Sequence, residues 1–292
     1  MKDGSRNGRQ RYKCRECGRR FTPTRRINKE NLYADYISGK QTLAQLAERH
    51  RVSVSTIQRR LREAETPAFK PSVGDVVLLM DSSYWGSKFG LVAIKDAQRK
   101  HVLWRKFIYR HERVSDYLEG VEYLEKNGYA IKGIVCDGMR GLIKALSRYP
   151  VQYCQFHQAK YVQIKLTKHP ESKAGQELLK LCAFMFRTDK ESFVGVFGEW
   201  YDRHSDYLNE RSAPDAKGKT HYMHKPLRSA FLSVKRNMEH LWVWYDHIEL
   251  GIPNTNNGIE AFFTDLKSKL RVHNGLALKN REKFIDEYLS RQ

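Results

Sequence analysis

Apolar and polar positions alternate along residues 75–156 in a way that predicts a sheet with connecting helices. Apolar runs bounded by polar turns predict strands at 75–81, 89–96 and 101–109. A helix with one apolar face is predicted at 115–127. Further along, the pattern predicts a strand at 131–136, a helix at 139–148 and a strand at 151–156. The predicted order of elements is therefore βββαβαβ, which indicates an α/β domain.

Two of these strands are predicted to end beside an aspartate. The order βββαβαβ is the ribonuclease H arrangement, in which the first and fourth strands are neighbours, so Asp81 and Asp137 are expected to lie side by side. Adjacent carboxylates repel each other unless a cation lies between them, and Mg²⁺ or Mn²⁺ prefers such oxygen ligands. The alternative for each residue taken alone is a turn or helix cap, the commoner role of an Asp at a strand end.

A third acidic candidate lies in the segment NTNNGIEAFFTDLKSKLRVHNG, residues 254–275. Asn254, Thr255 or Asn256 can cap a helix that begins just before Glu260. Glu260 stands off the apolar face of this helix and is the predicted third metal ligand. Lys267 and Arg271, seven and eleven positions further on, lie within about 20° of the same side. We therefore predict that this side of the helix carries a metal ligand followed by two DNA-phosphate contacts.

Residues 161–250 carry mostly helical patterns and exceed what a bare ribonuclease H domain needs. They predict a helical insertion between Asp137 and Glu260. Trp200, Trp242 and Trp244 are predicted to be core residues. The alternative for one of them is an aromatic ring that stacks on a flipped base.

Residues 29–65 have the pattern of a helix-turn-helix. Thr42 and Gln45 form a capping box, Ser53 can cap a third helix, and Val54, Ile57 and Leu61 are predicted to point inward. The outward positions carry side chains suited to DNA bases and phosphates, namely Ser55, Thr56, Gln58, Arg59, Arg60 and Arg62. The alternative is a purely structural three-helix bundle, which would carry more Glu on its exposed face.

Cys14 and Cys17 have the C-x-x-C spacing of a zinc knuckle. Tetrahedral zinc needs four ligands, and the next Cys or His is His50, so this is a partial knuckle. A second C-x-x-C pair is expected to have preceded residue 1 in an ancestral protein. The alternative is two thiols without metal.

Charge and composition narrow the class of partner. The chain of 292 residues has 53 Lys and Arg against 33 Asp and Glu, a net charge of +20, and residues 1–70 hold 18 of these bases with only seven acids. Such an excess favours a polyanion and disfavours an ordinary neutral metabolic enzyme. The longest apolar run has six residues, and five Cys favour a reducing compartment. We expect a cytoplasmic, nucleoid-associated protein of a bacterium or archaeon.

Four motifs carry a family resemblance. The DSSYWG around Asp81, the VCDGMRGL around Asp137, the CQFHQ of residues 154–158 and the segment around Glu260 together resemble the DDE insertion-sequence transposases of the mutator-like superfamily. The resemblance covers about residues 70–280, and the partial knuckle with the helix-turn-helix is similar to the DNA-binding front of such proteins.

The resemblance implies a ribonuclease H-like catalytic domain whose acidic triad is Asp81, Asp137 and Glu260. It also implies a C-x-x-H signature, matched by Cys154 and His157, that orders the edge of the active site or the DNA. On spacing alone these two residues could equally be a core thiol and a buried histidine.

The implied function is binding of element ends, with DNA cleavage and strand transfer by two Mg²⁺ or Mn²⁺ ions. The implied partners are double-stranded transposon-end and target DNA, with the protein a homodimer or higher oligomer on DNA. A ribonuclease H-like nuclease or resolvase and an inactive DNA-binding regulator are the alternatives. The predicted domains are the knuckle (1–27), the helix-turn-helix (28–66), a linker (67–74), the catalytic domain (75–160 and 251–292) and the insertion (161–250).

Overall fold

The computed structural model describes residues 1–6, 9–22, 27–64 and 72–290. These residues form two compact units. The N-terminal unit holds the described residues before residue 69 together with those from Lys267 onward, and the second unit holds those between, up to Leu266. The predicted domains differ here, because they assigned all of 251–292 to the catalytic domain.

The N-terminal unit contains a small antiparallel sheet and three helices. Their bounds are β1 (Lys2–Arg6), β2 (Arg9–Lys13), β3 (Arg20–Phe21), α1 (Lys29–Ile37), α2 (Leu43–His50) and α3 (Val54–Glu63). The predicted capping box of Thr42 and Gln45 is present, and the Ser53 side chain accepts a hydrogen bond from the Thr56 amide at 3.2 Å. The three predicted helices of the helix-turn-helix are therefore present.

The packed face of α3 differs from the prediction at one position. Ile57 and Leu61 are buried, as predicted, but Val54 is 40% exposed. Val54 is the first residue of α3, at the edge of the face that packs. The prediction that Val54 points inward is wrong.

The second unit is built on a five-stranded mixed sheet. Its strands are β4 (Asp75–Trp85), β5 (Phe89–Asp96), β6 (Val102–Ile108), β7 (Ala130–Cys136) and β8 (Val151–Tyr153), in the order β6-β5-β4-β7-β8. β4 is antiparallel to β5 and parallel to β7, so the first and fourth strands are neighbours, as predicted. This arrangement fits a ribonuclease H-like α/β fold. β4 continues beyond Asp81 because it stays paired with β5, and the last pair joins Trp85 of β4 to Phe89 of β5.

Helices connect the strands, and further helices follow β8 as far as residue 271. Their bounds are α4 (Val114–Lys126), α5 (Leu142–Ala145), α6 (Gln155–Leu166), α7 (Lys173–Phe184), α8 (Lys190–Asn209), α9 (Lys225–Asn237), α10 (Val243–Asp246) and α11 (Asn257–Arg271). Short 3₁₀ turns lie at Met185–Arg187, Glu239–Leu241 and Ile248–Leu250. The predicted strand 151–156 is shorter than expected because α6 begins at Gln155. The described helices include none that is both long and apolar enough to cross a membrane.

The helical region has its own core, joined to the sheet by buried glutamines. Trp200 and Trp242 are fully buried in that core and Trp244 packs against it, which confirms their predicted core role. The side-chain amides of Gln152 and Gln155 donate to the Leu241 carbonyl at 2.9 and 3.0 Å. These bonds hold β8 and the start of α6 against the helical region.

A last helix, α12 (Leu278–Leu289), explains why the C-terminal residues group with the N-terminal ones. The Lys283 ammonium donates to the carbonyl oxygens of Leu61, Arg62 and Ala64 at 3.0, 2.8 and 2.7 Å. The last carbonyls of a helix have no partner within it, so this ammonium caps α3. The Phe284 ring also packs against Tyr36, with centroids 5.7 Å apart.

Candidate functional site

Asp81 and Asp137 extend from neighbouring parallel strands. The paired register of β4 and β7 ends with Leu79 opposite Val135, and each aspartate lies two residues further on. In Asp137, Oδ1 accepts a hydrogen bond from the Met139 amide at 3.1 Å, which holds the loop after β7. The two carboxylates are therefore brought to the same edge of the sheet.

The Asp81 side chain at this edge has a raised pKa. Burial is the largest cause that raises the pKa of Asp81 to about 7. The negative charges of Asp137 and Glu260 act in the same direction, and only the Ser82 amide, which donates to Asp81 Oδ1 at 2.8 Å, opposes them. The three acids predicted from the sequence are thus close enough for their charges to interact.

The start of α11 is fixed against β4 and β5, which carries Glu260 to the site. The Asn256 side-chain amide donates to the Met80 carbonyl at 2.7 Å, and Lys95 donates to the Gly258 carbonyl at 2.9 Å. A Cβ at Gly258 would lie 2.8 Å from the end of the Leu79 side chain, which would have to shift to admit it. Asn256, predicted as a possible helix cap, uses its side chain to reach the strand instead.

Cys154 and His157 lie at the start of α6 and support the same segment. The Cys154 sulfur accepts a hydrogen bond from the Asn256 amide at 3.2 Å, and His157 Nε2 lies 3.5 Å from Glu260 Oε1. One ligand atom from each of Cys154, His157 and Glu260 falls within 4.8 Å of the others. Burial raises the pKa of the Cys154 thiol, which favours its protonated form. We interpret the pair as a support for α11 and Glu260.

A fourth carboxylate, Glu112, was missed by the sequence analysis. The Tyr84 hydroxyl donates to Glu112 Oε2 at 3.2 Å and accepts from the Glu112 amide at 2.7 Å. Burial, and then the charge of Asp137, raise the pKa of Glu112. A signal was present, because β6 runs in the same direction as β4 and Glu112 follows its end.

The residues at this edge fit a hard divalent cation. Glu260 Oε1 and Asn256 Oδ1 are buried oxygen atoms without a hydrogen-bond donor in the described ranges. Oxygen donors whose charges repel each other are the ligand set that Mg²⁺ or Mn²⁺ prefers. Among the described residues, Asp81, Asp137 and Glu260 do not form a group as tight as 4.8 Å. That these three hold the metal stays a prediction.

Replacing Asp81 by Asn is expected to stabilise the metal-free protein at high pH. The ordinary pKa of Asp81 is 3.8, and its pKa in the folded protein is about 7. Because such an acid ionises less readily in the folded state than in the unfolded state, the free energy of unfolding falls as the pH rises from 3.8 to about 7. Above pH 7 this loss of stability is complete. Asp81→Asn removes this loss, so its free energy of unfolding should exceed that of the wild type by on the order of 2 kcal/mol at pH 8, with a smaller gain at pH 4. Thermal or urea unfolding in EDTA measures the difference.

The matched control is Asp75→Asn, at the exposed start of the same strand, where Asp75 pairs with Lys132 at 3.5 Å. That variant should show no pH-dependent gain. Equal gains at pH 4 and pH 8 for Asp81→Asn would contradict a raised pKa of Asp81 in the folded protein.

The predicted DNA-contacting residues occupy different environments along α3. Ser55, Gln58, Arg59 and Arg62 are exposed. The Thr56 hydroxyl lies 3.0 Å from that of Ser53 at the helix cap. Arg60 is half-buried and pairs with Glu63 at 3.0 Å, and the same Glu63 lies 3.9 Å from Arg59. The exposed side chains remain candidates for DNA contact.

Lys267 and Arg271 lie beyond Leu266 on α11, in the part of the helix that groups with the N-terminal unit. The helix is continuous from Asn257 to Arg271, with Lys267 half-buried and Arg271 exposed. Their contact with DNA stays a prediction.

Cys14 and Cys17 flank the turn between β2 and β3. The Cys14 amide donates to the Arg19 carbonyl at 2.8 Å, and backbone donors at Cys17 and then Glu16 lower the pKa of the Cys14 thiol. A lowered thiol pKa suits a metal-binding thiolate. In the described ranges, no third ligand forms a group with this pair, so zinc binding there stays a prediction.

Comparisons with known proteins give limited information. No protein-family model matches the sequence, and no curated protein matches it either. Among solved structures, the Drosophila P element transposase strand transfer complex matches with a TM-score of 0.46 and 12% identity, over 92% of this chain and 93% of that chain. A likeness this distant assigns neither a family nor a function.

Proposed function

We propose that this protein is a DNA transposase of an insertion sequence, which binds element ends and catalyses metal-dependent strand cleavage and strand transfer. The observation that supports the proposal is that Asp81 and Asp137 follow the paired ends of the neighbouring parallel strands β4 and β7. Glu260 lies on α11, whose start is hydrogen-bonded to β4 and β5 of the same sheet. The motifs around these acids, which resemble the DDE transposases of the mutator-like superfamily, support it further.

In this proposal Asp81, Asp137 and Glu260 hold the metal, and their role is to bind rather than to attack the DNA. His157 and Cys154 keep Glu260 in position through the contact at 3.5 Å and the bond to the Asn256 amide. Bound there, Mg²⁺ or Mn²⁺ supplies Lewis-acid activation of water or a DNA 3′-hydroxyl and offsets charge on the leaving oxygen. α3 selects the element end, and Lys267 and Arg271 contact phosphates. A homodimer or larger oligomer on DNA is part of the proposal.

A ribonuclease H-like nuclease or resolvase is the second candidate, because the same acidic edge would serve hydrolysis alone. A DNA-binding regulator without activity has less support. Such a protein would have no use for half-buried acidic side chains at the ends of neighbouring strands.

The deciding experiment is a joining assay with duplexes that cover the DNA flanking the gene, a supercoiled target plasmid and Mg²⁺ or Mn²⁺. A transposase cleaves the flanking DNA and joins its 3′ end to the plasmid. A nuclease cleaves without joining, and a regulator binds without cleaving. Either of these last two outcomes would overturn the proposal.

A further inference from the structure

A large cleft lies beside Asp137, between the loop that follows β7 and the end of α9. Its volume is about 900 Å³, and the residues just after Asp137, from Gly138 to Gly141, form one wall. A Cβ at Gly138 would lie 2.4 Å from the Tyr153 hydroxyl, so a glycine lets this loop lie against Tyr153. The loop that carries the proposed metal ligand is therefore also the wall of the cleft.

Basic side chains line the cleft. Arg140 and Lys144 lie on one side, and Arg236 and His240 on the other. Arg140, Lys144 and Arg236 are exposed, and none has a hydrogen-bonded or ion-paired partner among the described residues. The described lining contains no Asp or Glu. Unpaired cations around a concave surface attract an anion, and two arginines favour phosphate groups.

Hydrogen bonds join α6 and α9 behind the cleft, and its lining includes Tyr161. Gln158 is fully buried and accepts a hydrogen bond from the Asn237 side chain at 2.8 Å. The Tyr161 hydroxyl lies 3.3 Å from that of Ser229, and the ring forms part of the lining. Proteins that bind unpaired nucleic acid combine a basic groove with such aromatic surfaces. A volume near 900 Å³ has room for on the order of one to two nucleotides.

We infer that this cleft receives the unpaired DNA strand that continues from the scissile phosphate, with Arg140, Lys144 and Arg236 on its phosphates. The inference rests on the proposed function, because it takes Asp137 to mark the reacting phosphate. It adds that the protein binds a strand separated from its complement on one side of the cleavage point. The cleft thus favours DNA ends that are frayed or single-stranded there.

The test compares two DNA probes on the full-length protein in EDTA, where no cleavage takes place. One probe is a blunt duplex, and the other is the same duplex with a single-stranded extension of about six nucleotides. Fluorescence anisotropy at one fixed salt concentration gives both Kd values. The double variant Lys144→Ala with Arg236→Ala should bind the extended probe about tenfold more weakly than the wild type, with a change under about twofold for the blunt probe.

The matched control is Lys235→Ala. Lys235 is the exposed neighbour of Arg236 on α9, but its ammonium lies over the Tyr201 ring and it does not line the cleft. This variant should bind both probes like the wild type. Circular dichroism of each variant checks that the fold is retained, and Arg140→Ala provides an independent variant if the double variant unfolds.

Three outcomes would overturn the inference. These are an equal loss on both probes, no loss on either, or displacement of the extension by a free deoxynucleoside monophosphate at concentrations that leave the blunt duplex bound. The last would indicate a site for a small nucleotide. Failure of the joining assay with the extension effect intact would overturn the proposed function alone, since this measurement uses binding and no catalysis.

Discussion

Asp137→Asn is expected to abolish metal-dependent DNA cleavage and joining, with a rate at least about a thousandfold lower than that of the wild type. Asn keeps the shape of the side chain, and its Oδ1 can still accept from the Met139 amide, which Asp137 does at 3.1 Å. What is lost is the negative charge that balances a divalent cation. Cleavage of labelled flanking duplexes in Mg²⁺ measures the rate, and a gel-shift assay measures binding. Binding should stay within about threefold, because most cations that attract DNA lie elsewhere in the chain.

Asp75→Asn is the control for this result. Asp75 starts the strand that carries Asp81, but it is exposed and pairs with Lys132, so its loss should leave cleavage unchanged. Asp81→Asn and Glu260→Gln should fail as Asp137→Asn does. If Asp137→Asn cleaves at the wild-type rate, or Asp75→Asn is equally impaired, the assignment of the acidic triad is wrong.

The sequence predicts those candidate site residues that lie on a strand or helix or directly follow one. Asp81 and Asp137 follow from apolar runs that end in an acid, because the βββαβαβ order makes the first and fourth strands neighbours. Glu260 follows from a helical pattern in which it stands off the apolar face. In each case local periodicity and topology together specify where a side chain goes.

The parts that the sequence does not predict depend on contacts between distant segments. The strand order indicates only that Glu112 follows the end of β6, and the loop that carries it is held by Tyr84, 28 residues earlier. An apolar face on α12 indicates that the helix is buried, but periodicity cannot say against which element. Only the structure shows that Phe284 packs on Tyr36 and that Lys283 caps α3.

The packing of α12 against the N-terminal helices affects how DNA recognition can be tested. Removing residues 1–66 would eliminate the predicted recognition helix, but it would also expose the apolar face of α12 that packs within the N-terminal unit. A loss of binding would then have two explanations. Substitutions on the exposed side of α3 separate them, because Gln58 and Arg62 are exposed while Ile57 and Leu61 remain to hold the helix.

The double variant Gln58→Ala with Arg62→Ala is therefore expected to lose sequence-specific binding while keeping its fold. An amide and a guanidinium that read base edges contribute about 1–3 kcal/mol each, so affinity for the flanking DNA should fall about a hundredfold, with little change on a scrambled duplex. Competition gel shifts at fixed salt measure both. Arg49→Ala is the control, since Arg49 lies on α2 and pairs with Asp35 at 2.8 Å. If the double variant loses affinity equally on both duplexes, or if Arg49→Ala matches its effect, recognition does not depend on the exposed side of α3.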